Sequence, residues 1–197
     1  VKITEEFLKQ LIQLKDKVTL SFGRKRKTVA MGIYDFDKIT SPITYKAFKP
    51  TELKFIPLGI NKEMTLKEIL QKHPKGIEYA HLLADYDKYP ILIDKNNIIL
   101  SMPPIINSEI TGRITESTKN IFIEVTGTNL EDTKVALNVI ACALADRGGK
   151  IKSVIVDYGK EKIITPDFTP KKMKFKLTEI ERITGLKLYF KELKYFL

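Results

Sequence analysis

Apolar positions recur along this chain with two periods, and each change of period marks a new element. Phe7, Leu8, Leu11, Ile12, Leu14 and Val18 fall three or four apart, the side of a helix that Thr4 can cap. That helix is expected to run to about Phe22 and to end at Gly23. Thr28 to Ile33 then reads as a strand, with two short extended segments at Tyr45 to Phe48 and Leu53 to Pro57. Thr65 and Glu68 have capping-box spacing, which predicts a short helix stopping before Pro74, and a second helix is expected over 77–86. Ile91-Leu92-Ile93 and Ile98-Ile99-Leu100 flank Asp94-Lys95-Asn96-Asn97, the pattern of a hairpin. Neither run alternates, so both faces of these strands are expected to be covered.

A polar loop, Ser101 to Asn120, leads to a strand over 121–125, a turn at Thr126-Gly127-Thr128-Asn129, and a long helix from Leu130 to Asp146. Gly148-Gly149 ends that helix, and 151–156 reads as one more strand. The interleaving predicts an α+β fold with a mixed or antiparallel central sheet covered by helices. Beyond Gly159 the texture changes. Pro166 and Pro170 precede the alternating Lys172-Met173-Lys174-Phe175-Lys176-Leu177, expected as a strand, and a short helix over 178–184 closed by Gly185. The expected organisation is one domain over 1–164 and the truncated start of a second module over 165–197. The start on Val1-Lys2, without a signal-peptide pattern, adds the expectation of a fragment excised from a longer chain.

The charge is uneven. The net charge is +10, of which residues 1–27 (eight Lys/Arg, three acids) and 160–197 (ten against five) carry +5 each. A neutral body between basic flanks suits a polyanion touched at the flanks, although a lysine-rich solvated surface gives the same count. The 43% hydrophobic content supports a packed core, and no apolar run approaches the ~18 residues of a membrane span. Cys142 is the only cysteine, so an internal disulfide is excluded; a reducing, cytoplasmic location is expected, with Cys142 a small buried core residue. With only His73 and His81 beside it, no metal site is expected. A Walker-type phosphate loop, Gly-x-Gly-x-x-Gly and a serine elbow are all missing, which argues against ATP chemistry within this stretch.

Candidate chemistry concentrates between Leu92 and Asn129. In Leu100-Ser101-Met102-Pro103-Pro104-Ile105-Ile106-Asn107-Ser108-Glu109 the two prolines fix φ and remove donors, so a rigid extended path out of the sheet is expected. Ser101 and Asn107 flank it, and Arg113 and Lys119 follow as cations for phosphate. Glu124 lies in an apolar strand with Thr126 on the same face. A carboxylate there is costly to bury unless paired; it marks a site, or else it faces solvent from an edge strand.

The segments Ile98 to Asn107 and Thr118 to Thr128 resemble the editing domain of phenylalanyl-tRNA synthetase beta subunits of the archaeal/eukaryotic type. Gly23-Arg24-Lys25-Arg26-Lys27, Gly32-Ile33-Tyr34-Asp35-Phe36-Asp37 and Lys54-Phe55-Ile56-Pro57-Leu58 agree with it in order, and the tail from about Lys171 is similar to the opening of that subunit's next module. The resemblance implies hydrolysis of tyrosine wrongly esterified to tRNA(Phe). It implies Leu92 and Asn107 as substrate-binding residues and Ser101, Glu124 and Thr126 as catalytic ones. Leu92 would pack the tyrosine ring, Asn107 or Glu124 would read its hydroxyl, and Ser101 and Thr126 would position water or the ester carbonyl. Whether Glu124 is a base or a hydroxyl reader is open. No cofactor is implied for editing; ATP and magnesium belong to the whole synthetase. The implied partners are the tRNA(Phe) 3′ end and an alpha subunit, in an assembly of two alpha and two beta chains. Arg24, Lys25, Arg26, Lys27, Arg113 and Lys119 are the candidate tRNA contacts, the first four equally a solvated helix end. The alternative is a non-catalytic module that holds tRNA or the alpha subunit.

Overall fold

The computed structural model describes residues 3–170 and 172–196. Val1, Lys2, Lys171 and Leu197, which bound the expected fragment and its tail, lie outside the described residues. The chain divides into two compact units, Val1–Asp167 and Phe168–Leu197.

In the first unit, helix α1 (Glu5–Leu20) starts where Thr4 Oγ1 accepts from the Phe7 amide at 3.2 Å. Strand β1 (Val29–Asp35) pairs antiparallel with β8 (Ile121–Gly127) as a two-stranded ribbon. A four-stranded antiparallel sheet runs in the order β2 (Thr44–Phe48), β5 (Tyr89–Ile93), β6 (Ile99–Met102), β7 (Ile106–Asn107). Two small ribbons, β3 (Lys54–Phe55) with β4 (Met64–Thr65) and β9 (Val154–Asp157) with β10 (Lys162–Thr165), complete the strands among the described residues. The helices after α1 are α2 (Leu66–Lys72), α3 (Pro74–Tyr79), α4 (Glu109–Gly112) and α5 (Leu130–Asp146). This is the expected α+β class, with every strand pair antiparallel.

Local chemistry accounts for the element boundaries. The capping box at α2 is present: Glu68 N–H donates to Thr65 Oγ1 at 3.2 Å, and Thr65 N–H to Glu68 Oε2 at 3.1 Å. The hairpin between β5 and β6 turns on buried Asp94, whose carboxylate accepts from the amides of Thr40, Asn96 and Ile98 at 2.8–3.0 Å. All four residues of β6 are buried, Ile99 and Leu100 as their apolar run predicts and Ser101 with them. Three buried clusters form the core among the described residues. One packs the four-stranded sheet on α2 and α3 through residues such as Leu66, Ile69 and Ile91. Another packs the β1–β8 ribbon on α1 and α5 through Leu11, Ile33 and Ile140. Between them lie Tyr34, Ile39, Leu92 and Leu100.

Several expectations need correction. The helix expected over 77–86 starts earlier, at Pro74, because His73 caps it: Lys75 N–H donates to His73 Nδ1 at 3.1 Å, and a 3₁₀ turn follows at Ala80–Leu82. The stretch 101–120 is not all loop, since it includes the end of β6, all of β7 and α4. Pro103-Pro104 does not lead the chain out of the sheet. Ile105 N–H donates to the Met102 carbonyl at 2.8 Å and closes a turn that folds β7 back on β6. The strand expected over 151–156 is shifted to β9, paired with the unforeseen β10. Cys142 is exposed rather than buried, because it lies on the outer side of α5, away from Ala141 and Ile140.

In the second unit the alternating segment 172–176 is outside helices and strands, and Met173 is 80% exposed. Alternation alone makes no strand without a ladder partner. Helix α6 (Leu177–Thr184) ends at Gly185 with φ 72°, and α7 (Phe190–Phe196) follows.

Candidate active site

The two β-layers carry the site between them. Along the four-stranded sheet, Leu92 pairs directly with Ser101, and Ser101 with Asn107, so three candidates scattered in sequence stand in one row across the strands. On the ribbon, Thr126 pairs with Ala30, Glu124 with Gly32, and Phe122 with Tyr34. Residues two apart on a strand share a face, so Glu124, Thr126, Gly32 and Tyr34 look the same way.

Gly32 is a glycine because of Tyr34. A Cβ at position 32 would stand 2.1 Å from Tyr34 Oη, so only a bare backbone lets the tyrosine ring fold back along its own strand. The ring is fully buried, with its centroid 5.8 Å from that of Phe122. Its hydroxyl lies 2.8 Å from Ser101 Oγ and 3.0 Å from Glu124 Oε2, bridging sheet and ribbon. Glu124 Oε1 and Thr126 Oγ1 are both sealed from solvent and make no hydrogen bond of good geometry, although the Thr126 hydroxyl lies close enough to the carboxyl to favour its ionised form. Glu124 is therefore not a solvent-facing residue.

Burial pushes the Glu124 carboxyl up to about 7, against the opposing pull of the nearby Thr126 and Tyr34 hydroxyls, which favour its ionised form. Burial, and then the Glu124 charge, hold the Tyr34 hydroxyl well above its ordinary range. Tyr45, the partner of Leu92 on β2, is raised by the same two causes.

A cavity of about 250 Å³ opens at this junction, with Ser101, Asn107, Glu124 and Thr126 on its wall, beside Pro103, Pro104 and Ile105. Asn107 is fixed by its amide nitrogen, which donates to the Ile33 carbonyl at 3.1 Å. Its side chain lies against Gly112, where a Cβ would come within 2.4 Å of Asn107 Cβ. Leu92 is not on the cavity wall; it is 6% exposed and packs with Tyr34, Ile39 and Leu100 behind it.

The basic turn splits into two kinds of residue. Arg24, Lys25 and Arg26 all have positive φ (47°, 55° and 66°), so the chain curls left-handed over the end of α1. Arg24, Lys25 and Lys27 stay exposed. Arg26 instead reaches the cavity wall, where Nη1 donates to the carbonyls of Ile105 (2.8 Å) and Pro104 (3.2 Å). Its guanidinium carbon sits 4.2 Å from the Tyr79 ring centroid. Arg113 is tied to Glu109 by an ion pair, and Lys119 is exposed. Arg26→Lys should lower stability by about 1–2 kcal/mol, because a point ammonium replaces neither the fork nor the stacked plane. Urea unfolding checks this, and an unshifted midpoint would remove Arg26 from the wall's supports.

Tyr34 is the member of this junction that sequence reasoning did not mark. Its signal was the Gly-x-Tyr spacing inside a strand, where a glycine marks a close approach.

Residues 3–149 match the B3/4 domain family. The chain is 55% identical over 194 residues to the "Phenylalanine--tRNA ligase beta subunit" of Pyrococcus furiosus, a match covering 98% of this chain and 35% of the relative. The subunit of the same name from Methanococcus maripaludis is 47% identical over 189 residues, covering 95% of this chain and 33% of the relative. The crystal structure of an N-terminal fragment of the phenylalanyl-tRNA synthetase beta subunit from Pyrococcus horikoshii superposes with a TM-score of 0.92 at 56% identity, covering 98% of this chain and 56% of that one. The chain thus spans about a third of the length of the curated relatives it matches. With its fold, its order of segments and its length all aligned in this way, the chain belongs to the B3/4 domain family, in the form found in the N-terminal region of phenylalanine–tRNA ligase beta subunits.

Proposed function

We propose that this chain is an editing hydrolase that cleaves the ester of Tyr-tRNA(Phe) and spares Phe-tRNA(Phe), working in a synthetase beta subunit beside an alpha subunit. The observation that carries the reading is a cavity walled by Ser101, Asn107, Glu124 and Thr126, in which Glu124 Oε1 and Thr126 Oγ1 are buried without a well-formed hydrogen bond. A buried acceptor without a donor is a deficit that a ligand hydroxyl makes good. A tyrosine phenol supplies that hydroxyl and phenylalanine does not. Sites that satisfy a polar group through the substrate reject the analogue lacking it by about 10⁴-fold or more. The cavity volume of about 250 Å³ exceeds the ~150 Å³ that admits benzene, leaving room for the ring and part of the ester.

In this reading Glu124 reads the phenol, while Ser101, Asn107 and Thr126 orient the ester and a water molecule. The water oxygen attacks the ester carbonyl, the bond to the ribose oxygen breaks, and that oxygen takes up a proton to leave a free ribose hydroxyl and tyrosine. An aminoacyl ester is reactive enough that positioning supplies most of the rate, and the reading assigns the step no metal or cofactor. Exposed Arg24, Lys25, Lys27 and Lys119 take backbone phosphates. The beta-subunit names of the relatives support the choice of tRNA(Phe).

The test is release of amino acid from Tyr-tRNA(Phe) and Phe-tRNA(Phe) by the parent chain and by Thr126→Val. The parent should release tyrosine alone, and the variant should lose about 10- to 100-fold in rate. Equal release from both esters would overturn the reading. Salt-sensitive tRNA binding without hydrolysis would favour the non-catalytic alternative, which the exposed cations of the basic turn also suit.

A further inference from the structure

Glu124 has two oxygens with different fates. One meets Tyr34 at 3.0 Å and the other makes no hydrogen bond of good geometry. A free carboxyl would rotate and exchange them, so something selects the orientation. We propose that Tyr34 is the positioning residue of the site: it holds Glu124 by Oε2 and so turns Oε1 towards the cavity as the acceptor for a phenolic hydroxyl. This rests on the editing reading for the identity of the hydroxyl, and on the geometry alone for the hold.

Tyr34 is suited to the task because nothing about it is free to move. Its ring is fully buried between Phe122 and the Leu92 cluster, and it lies over a glycine that leaves no space beneath it. Its single hydroxyl proton is directed by its neighbours. With Glu124 ionised, the one Tyr34 proton goes to Oε2 and Tyr34 accepts from Ser101, which completes both hydroxyls and leaves Oε1 to the neighbouring Thr126 hydroxyl and to a ligand. Protonating Glu124 on Oε2 reverses the polarity of the chain of bonds and leaves Oε1 a neutral carbonyl oxygen, a weaker acceptor than the carboxylate. Tyr34 therefore sets the direction of Glu124, and after burial and Thr126 it contributes to the pH range over which Glu124 accepts as an anion.

The groups around Glu124 are few. Tyr34 faces it from β1 and Ser101 from β6, and Tyr45 of β2 feels its charge. Thr126 lies beside it on β8, and the other charged residues of the cavity wall among those described are Lys15 of α1 and Arg26. Tyr34 is the one titratable group among them that bonds to it directly. Loss of its hydroxyl removes a bond favouring the ionised form, so the Glu124 midpoint should rise above its already raised value of about 7.

The experiment is Tyr34→Phe, which keeps the ring and its packing. The Glu124 side-chain carbonyl, labelled with ¹³C, is titrated by NMR without RNA, and tyrosine release is measured as kcat/KM against pH. The midpoint should move to higher pH, and kcat/KM at pH 7 should fall about 10- to 100-fold with the acid limb moving the same way. Incorporation of 3,5-difluorotyrosine at position 34 alone, a stronger donor of similar shape, should move the midpoint to lower pH. An unmoved midpoint in either protein would overturn the proposal. If the midpoints move but the parent chain releases no tyrosine, the hold on Glu124 stands and the editing reading falls.

Discussion

Glu124→Gln should abolish the preference for tyrosine esters and, at the same time, make the protein more stable at pH 8. Selectivity goes because the amide presents a donor as well as an acceptor and no longer carries the charge that strengthens the bond to a phenol. Stability rises because the native carboxyl is in an unfavourable place. Burial holds it at about 7 in the folded chain against an ordinary value of 4.5. Between those values the folded chain keeps a proton that the unfolded chain has lost, so stability declines as pH rises through that window and stays lower above it. The deficit is on the order of 3 kcal/mol above pH 7 and vanishes below about pH 4. Thermal melts of parent and variant at pH 4 and pH 8 should coincide at the lower pH and separate at the higher one, with the variant the more stable. A variant that melts lower at pH 8, or that still prefers tyrosine, would mean that Glu124 is not a strained reader of the substrate.

Gly32→Ala is the second large effect. Three atoms of Tyr34 (Oη, Cζ and Cε2) lie 2.1–2.6 Å from the position of the new Cβ, and the ring has no vacant direction to take. The ring must leave its slot, which breaks the bonds to Ser101 and Glu124 and disrupts the cluster around Leu92. The expected cost is about 2–4 kcal/mol together with loss of tyrosine release. Non-additivity provides the check. In a Tyr34→Ala background the clash is gone, so the same substitution at Gly32 should cost much less, on the order of 1 kcal/mol. Equal costs in the two backgrounds would refute the steric account.

What the sequence made legible is what local chemistry decides. The caps at Thr4 and Thr65, the Asp94 turn, the apolar run that enters β6 and the span of α5 all depend on residues within a few positions of each other. Ser101, Asn107, Glu124 and Thr126 were marked as unusual residues in apolar or proline-rich surroundings, and the fold brings all four to one cavity. What was hidden depends on pairing. That Gly32 stands opposite Glu124, and that Tyr34 then reaches the same carboxyl, follows only from the β1–β8 register, which joins positions about ninety residues apart. Leu92 likewise reads as a pocket residue until its neighbours Tyr34 and Leu100 show it to be behind the wall. The exposed alternation of 172–176 shows the converse, a strand pattern without a ladder.

One further consequence concerns motion. The groups proposed to act, Ser101, Asn107, Glu124, Thr126 and Tyr34, all sit on paired strands, and β6 is buried along its whole length with a partner on either side. Amides in such strands exchange with solvent only through the rarest openings, those close to global unfolding. The alignment of the reactive groups is thus inherited from the cooperativity of the whole unit rather than from the closing of a flexible cover. Substitutions far from the cavity will therefore alter how many molecules are folded and leave each folded molecule as discriminating as before.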